Sequence, residues 1–366
     1  MSAAPDDASV VAALRATGAV TRALALVSAA LLVLGLDVVT LRVADPAVVV
    51  APLAVSTTTD ATPRSAPTVT AAPRPVPFPS ALPTATPSPP SPLVAYEGLG
   101  AWVDVFDYAL PYQMGVAPEV TPDEVEVMAA TGVRTLFIQT ARMDPRSPGL
   151  YADEPTLRAF IATAHEHGLR VVGWYLPTLV DIEADLARLE AMSDLVEDGA
   201  GLDGIAVDIE ARDVADIDER NRRLIALSQA LRASRAEPIG AIVLPPVVID
   251  EINTGYWPRF PWAELAPLYD VWLPMAYWTN RPAETTYRDP ALYTAENARR
   301  VRAYVGAPDA PVHIIGGIGD ATTAADLRRF VPAADEAGAI GLSLYDWATA
   351  DLHQWQLLGE VTAANT

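Results

Sequence analysis

Two residue types are missing from this chain of 366 residues: cysteine and lysine. Without cysteine there can be no disulfide, no thiolate nucleophile, no cysteine-ligated zinc and no iron–sulfur cluster. Without lysine, Schiff-base catalysis on a side-chain amine and the lysine-bearing phosphate loop are both excluded; all 25 basic residues are arginine. Histidine is scarce. The four, His165, His167, His313 and His353, make no metal-binding pattern, because His165 and His167 stand two apart and a helix turns such neighbours to different sides. Each reads as a surface histidine with a hydrogen-bond partner. No metal and no cofactor is implied.

Negative charge is plentiful, and the formal net charge is −21. Such a surface repels phosphate backbones and excludes nucleic acid as a partner. The charge is not evenly spread: residues 1–95 hold five Asp and five Arg, so the whole excess belongs to residues 96–366. Residues 23–36 are apolar and uncharged, preceded by Arg15 and Arg22, and apolar character resumes after Asp37 through Leu41. That length suits a signal core or a short spanning helix. With no small-x-small cleavage site close behind, an uncleaved anchor is preferred to a cleaved signal. The arginines then keep residues 1–44 at the cytoplasmic side and leave the rest outside. Residues 45–95 are rich in Pro, Thr, Ser and Ala and end in Pro-Ser-Pro-Pro-Ser-Pro, a composition that stays disordered and extended. The expectation is an exported domain, held by a membrane anchor or secreted.

From residue 96 short apolar runs alternate with amphipathic stretches. The runs are Leu99–Val105, Arg134–Gln139, Arg170–Tyr175, Gly204–Ile209, Ile239–Leu244, Val271–Tyr277, Val312–Ile315 and Ile340–Tyr345. Between the first two, Thr121-Pro122-Asp123-Glu124 has the form of a capping box, and Gly132 and Gly168 stop the first two helices. Strands that are apolar throughout and alternate with helices build a parallel sheet covered by helices. Eight such repeats predict an α/β fold of the (β/α)8 barrel class over residues 96–366, preceded by the apolar helix and the disordered linker. An open doubly wound sheet would need a glycine phosphate loop after an early strand. A weak glycine cluster, Gly316-Gly317-Ile318-Gly319, comes after the seventh run and reads as a loop needing positive φ.

Sites in such barrels form where the strands end. The fourth run reads Asp203-Gly204-Ile205-Ala206-Val207-Asp208-Ile209-Glu210. Side chains alternate along a strand, so Ala206, Asp208 and Glu210 share the inward face. Two carboxyl groups held close split their proton affinities, giving a proton donor beside an anion. That is what cleavage of a glycosidic bond requires. Asp104 and Asp107 end the first run, Gln139 and Arg142 follow the second, Trp174 and Tyr175 end the third, Tyr277 ends the sixth and Trp347 follows the eighth. These are the candidate substrate contacts, with Asp203 as either a site acid or a turn cap.

The fourth run resembles family-18 glycoside hydrolases, the chitinase-type barrels, whose fourth strand is Asp-Gly-x-Asp-x-Asp-x-Glu. Asp203, Gly204, Asp208 and Glu210 match, and Ala206 stands where the family has Asp. The resemblance implies that Glu210 is the general acid and that Asp208 orients the substrate acetamido group, which serves as nucleophile. It also implies that Tyr277 bonds the acetamido carbonyl and that Trp347 forms part of the sugar floor, while Trp278 departs from the acidic or amide residue usual there. Family-25 muramidases are similar in a weaker way. They carry Asp-x-Glu on the fourth strand and an Asp on the first, which here would be Asp104. Both resemblances imply a polysaccharide with N-acetylated amino sugars as the partner, and catalytic residues Asp208 and Glu210. A surface-displayed, non-catalytic glycan-binding barrel is the alternative, favoured by Ala206 and Trp278. A divalent-metal hydrolase using Asp104, Asp208 and Glu210 ranks behind both.

Overall fold

The computed structural model describes residues 93–197 and 199–365. The apolar stretch at 23–36 and nearly all of the Pro-rich segment lie outside those residues. Among the described residues no helix is long and apolar enough to cross a membrane.

Eight strands appear where the apolar runs lie: β1 Gly98–Val103, β2 Thr135–Gln139, β3 Arg170–Tyr175, β4 Gly204–Ile209, β5 Ile239–Val243, β6 Val271–Pro274, β7 His313–Ile318 and β8 Gly341–Tyr345. All pair in parallel, in the order β6-β5-β4-β3-β2-β1-β8-β7. Bridges Trp272↔Val312 and Met275↔Ile315 join β6 to β7 and close the ring. The strands are apolar throughout because both faces are covered, by the interior on one side and helices on the other.

Each strand is followed by a helix: α1 Glu124–Ala130, α2 Glu154–Glu166, α3 Ile182–Ala191, α4 Ile217–Ser234, α5 Trp262–Leu265, α6 Pro290–Val305, α7 Ala324–Glu336 and α8 Leu352–Asn365. The expected (β/α)8 barrel is thus present, with α5 reduced to one turn. Gly132 and Gly168 end α1 and α2 at φ 93° and 76°. Two local expectations need correction. Asp123, not Thr121, precedes α1, and its side chain makes no cap bond. The run after His313 is no loop: Gly316 and Gly317 lie in β7 without positive φ. They are small because a Cβ would lie 2.9 Å from the Phe330 ring at Gly316 and 2.6 Å from Thr322 Oγ1 at Gly317.

The interior is filled from the end where the strands begin. A 3-10 turn, Leu93–Tyr96, opens the domain three residues before the expected boundary, and fully buried Tyr96 plugs the barrel. Its hydroxyl donates to the carbonyls of Ile205 (2.6 Å) and Pro238 (3.1 Å). A Cβ on Gly204 would meet that hydroxyl at 2.7 Å, and one on Gly240 would meet the ring at 3.0 Å, so glycine at both makes room for the plug. Above it a polar chain crosses the apolar interior. Trp102 Nε1 donates to Ser343 Oγ (2.8 Å), and His313 bridges Ser343 Oγ (3.0 Å) to the Tyr96 carbonyl (2.8 Å). A carbonyl only accepts, so Nδ1 of His313 carries its proton and Nε2 accepts from the serine. His313 is therefore not the surface histidine expected but a fully buried one, because its strand turns it into the interior, and burial lowers its imidazole to about 4 and keeps it neutral. Trp102 stacks on Phe137 at 4.4 Å, and Phe137 meets His313 at 5.0 Å.

Replacing Tyr96 by Phe removes two buried hydrogen bonds without opening a cavity. We expect a loss of about 1–3 kcal/mol in urea unfolding; an unchanged midpoint would show that the hydroxyl does not hold the plug.

Candidate active site

Strand ends set the geometry. Asp208 lies in β4 opposite Ile242 of β5, and Glu210 follows immediately after the strand. Alternation turns both inward with Ala206. Asp208 is 7% exposed, Oδ1 has no hydrogen-bond partner among the described residues, and Glu210 is partly exposed at the rim. Burial raises both carboxyl groups above the ordinary range, and for Asp208 the Glu210 charge adds to the effect. The Arg142 guanidinium, seated 5.1 Å over the Phe106 ring, pulls both back. Two close acids with raised affinity for protons retain one proton between them to higher pH than a lone carboxyl would.

The other mouth residues surround this pair. Burial pushes the Tyr277 hydroxyl well up, followed by the charges of Glu210, Asp208, Asp346 and Asp104, so this phenol stands in the field of both carboxyls. Its ring lies 5.8 Å from Tyr345, whose hydroxyl donates to Asp104 Oδ2 at 3.0 Å. On the opposite flank Gln139 and Trp174 are aligned partners on β2 and β3, and Trp174 is aligned with Ala206. Gln139 Oε1 accepts from Val105 N (3.1 Å); its Nε2 and Trp174 Nε1 are buried and meet no partner among the described residues. The mouth therefore offers donors from β2 and β3 and carboxylates from β1, β4 and the end of β8.

The acids Asp104, Asp107 and Asp346 form a group whose oxygens lie within 4.8 Å of one another. They are the residues that could hold a cation, rather than Asp104 with Asp208 and Glu210. Two of them already have local structural work. Asp104 accepts from Phe106 N (2.7 Å), and Asp107 accepts from Asp104 N (3.0 Å), which caps the one-turn helix Val105–Tyr108.

Tyr175 and Trp347 are not brought to the mouth, and of the two readings of Asp203 the structure gives the structural one. Tyr175 is next to inward-facing Trp174 and so faces outward; its hydroxyl donates to buried Asp185 of α3 at 2.6 Å. Asp203 sits at the opposite end of β4, about 16 Å of strand before Asp208. There it accepts from Val171 N (2.9 Å) and pairs with His165 and Arg170. Trp347 lies two residues beyond the end of β8, where alternation no longer applies. It packs on Trp355 of α8 at 4.9 Å, 7% exposed, with its indole N–H directed to Glu124. Tyr345 takes its place as the aromatic of that strand end. Counting by twos from Ser343, whose hydroxyl accepts from inward Trp102, would have found it.

Comparison with solved structures gives the same architecture. The chain is similar to the C-terminal domain of a putative chitinase from Desulfitobacterium hafniense, at 12% identity, 74% of this chain, 99% of that chain and TM-score 0.55. It is similar to a class V chitinase from Nicotiana tobaccum, at 10% identity, 74% of this chain, 100% of that chain and TM-score 0.52. An exo-β-1,4-mannosidase from an Opitutaceae bacterium matches at 16% identity, 76% of this chain, 62% of that chain and TM-score 0.55. No family model matches the chain, and its sequence matches no curated protein. At these identities the likeness is one of fold, the (β/α)8 barrel that the chitinases and the mannosidase share with this chain.

A carboxyl raised in the folded state binds its proton more tightly there than in the unfolded chain. Stability is therefore greatest below the ordinary carboxylate range and falls as pH rises through the raised value. Asp208→Asn removes that penalty: we expect its melting temperature at pH 7.5 to exceed the wild-type value by about 2 °C or more, with the gap closing at pH 4. A variant that melts lower at pH 7.5 would mean that the Asp208 charge is compensated.

Proposed function

We propose that this protein hydrolyses glycosidic bonds in an extracellular polysaccharide containing N-acetylated amino sugars, with Glu210 as general acid. The observation that carries the reading is the pair itself: two inward carboxyls at the barrel mouth, both raised by burial. Glu210, at the rim, is the member a glycosidic oxygen can reach. In the proposed reaction Glu210 donates its proton to that oxygen as the bond to the anomeric carbon breaks. The substrate's own acetamido oxygen closes on that carbon, Asp208 orients the acetamido N–H, and the Tyr277 hydroxyl donates to the acetamido carbonyl. Water then opens the intermediate, its proton returning to Glu210, with net retention of configuration. Asp104, Gln139 and Trp174 supply further contacts. Similarity to chitinases supports the substrate class. The apolar N-terminal stretch and Pro-rich spacer suit an enzyme held at the outer side of a membrane.

A second reading has its own observation. Asp208 Oδ1 meets no hydrogen-bond partner among the described residues, and alanine rather than a second acid stands inward at position 206, below it on the strand. A barrel so altered can bind glycan without cleaving it. Hydrolysis of N-acetylglucosamine oligomers and labelled peptidoglycan separates the two. We expect release by the wild type and a fall in kcat of about 10²–10⁴ in Glu210→Gln. Equal turnover by that variant would remove Glu210 from the role, and binding without release would favour the second reading.

A further inference from the structure

The connection between β6 and α6 encloses a cation that the fold does not pair. Arg281 follows the 3-10 turn Trp278–Asn280 and is 4% exposed. Its Nε, Nη1 and Nη2 are all buried, and none meets a hydrogen-bond partner among the described residues. Neither acid of this connection, Glu284 or Asp289, bonds to it. Glu284 is exposed to solvent, and Asp289 caps α6 and pairs with Arg329. The cation acting on Asp208 and Glu210 is Arg142.

What Arg281 does face is Tyr293 of α6, with the guanidinium carbon 5.9 Å from the ring centroid. That distance is at the outer limit of a cation–π contact and satisfies no N–H. The Tyr293 hydroxyl is itself fully buried and makes no close hydrogen bond among the described residues, with the Asn297 side chain beside it. Burial pushes it up to about 12, opposed first by the Arg281 charge and then by the Asn297 side chain. A guanidinium cannot shed its proton to escape burial, as a lysine or histidine can. A buried ion left alone is strongly unfavourable, and native structures pair it.

We propose that Arg281 and Tyr293 form a buried site for a small monovalent anion of the size and charge of chloride. The guanidinium N–H groups and the phenol O–H supply donors, and one negative charge balances the one positive charge. A divalent anion would leave a buried charge over. The site belongs to the packing of the β6–α6 connection. The same connection carries Tyr277, and Thr279 Oγ1 accepts from Ile318 N at 3.0 Å, so the anion would steady one wall of the mouth. It does not depend on whether the mouth cleaves glycans.

The test is thermal unfolding of the full chain in sodium gluconate, chloride and bromide at equal ionic strength. Chloride and bromide should raise the melting temperature saturably. At a hundred times the dissociation constant, the folded-to-unfolded ratio should rise about 100-fold. Arg281→Met, similar in length and uncharged, should lose that dependence and melt no lower than wild type in gluconate. A wild-type melting temperature indifferent to the anion, or the same dependence in Arg281→Met, overturns the proposal. Should the variant fail to fold, crystals of the wild type grown in bromide decide. An anomalous peak between Arg281 and Tyr293 supports the site, and its absence there overturns it.

Discussion

Alternation along one strand is the constraint on which the site depends. β4 is buried on both faces, so its side chains have two destinations, the helix layer or the interior. Residues 206, 208 and 210 go inward together. The first is alanine, which fits beside the Tyr96 plug and Gly240. The second and third are acids, and the same enclosure that holds them raises both. Proton affinity here comes from position: a carboxyl two residues from another, at the level where the barrel opens, has less water than it needs and a like charge beside it.

The lower half of the barrel exists to fix that level. Tyr96 enters between two glycines, and the Trp102–Ser343–His313 chain ties β1, β8 and β7 across the interior. With its floor fixed, the mouth can carry groups that are poorly satisfied on their own: Asp208 Oδ1, Gln139 Nε2 and Trp174 Nε1. Their lost hydrogen bonds are offset by packing elsewhere, which is the usual relation between a rigid scaffold and a reactive site.

Much of this was legible in the sequence because parallel strands covered on both sides read as apolar runs. All eight strands lie within or beside the runs that predict them, and β4 matches its run residue for residue. The errors have physical causes. Trp174 and Tyr175 cannot both face inward, and alternation alone would have excluded one. Asp203 is open in the sequence between a site acid and a turn cap, and only its partners Val171 N, His165 and Arg170 decide for a structural place. Trp347 is offered by the family resemblance, and it follows a strand that ends at Tyr345, so alternation does not place it. α5 is a single turn, Trp262–Leu265, too short to show a helical period. Nothing in the sequence marks Arg281 as buried, since its enclosure arises from a loop folding onto α6.

The central claim is that Asp208 and Glu210 titrate as one raised pair. Carbon-13 NMR of the side-chain carboxyls, followed against pH in the wild type and in Glu210→Gln, measures it directly. The account predicts a carboxyl titrating well above the ordinary range, with the Asp208 midpoint moving down when the Glu210 charge is removed. Two carboxyls titrating independently in the ordinary range would contradict it.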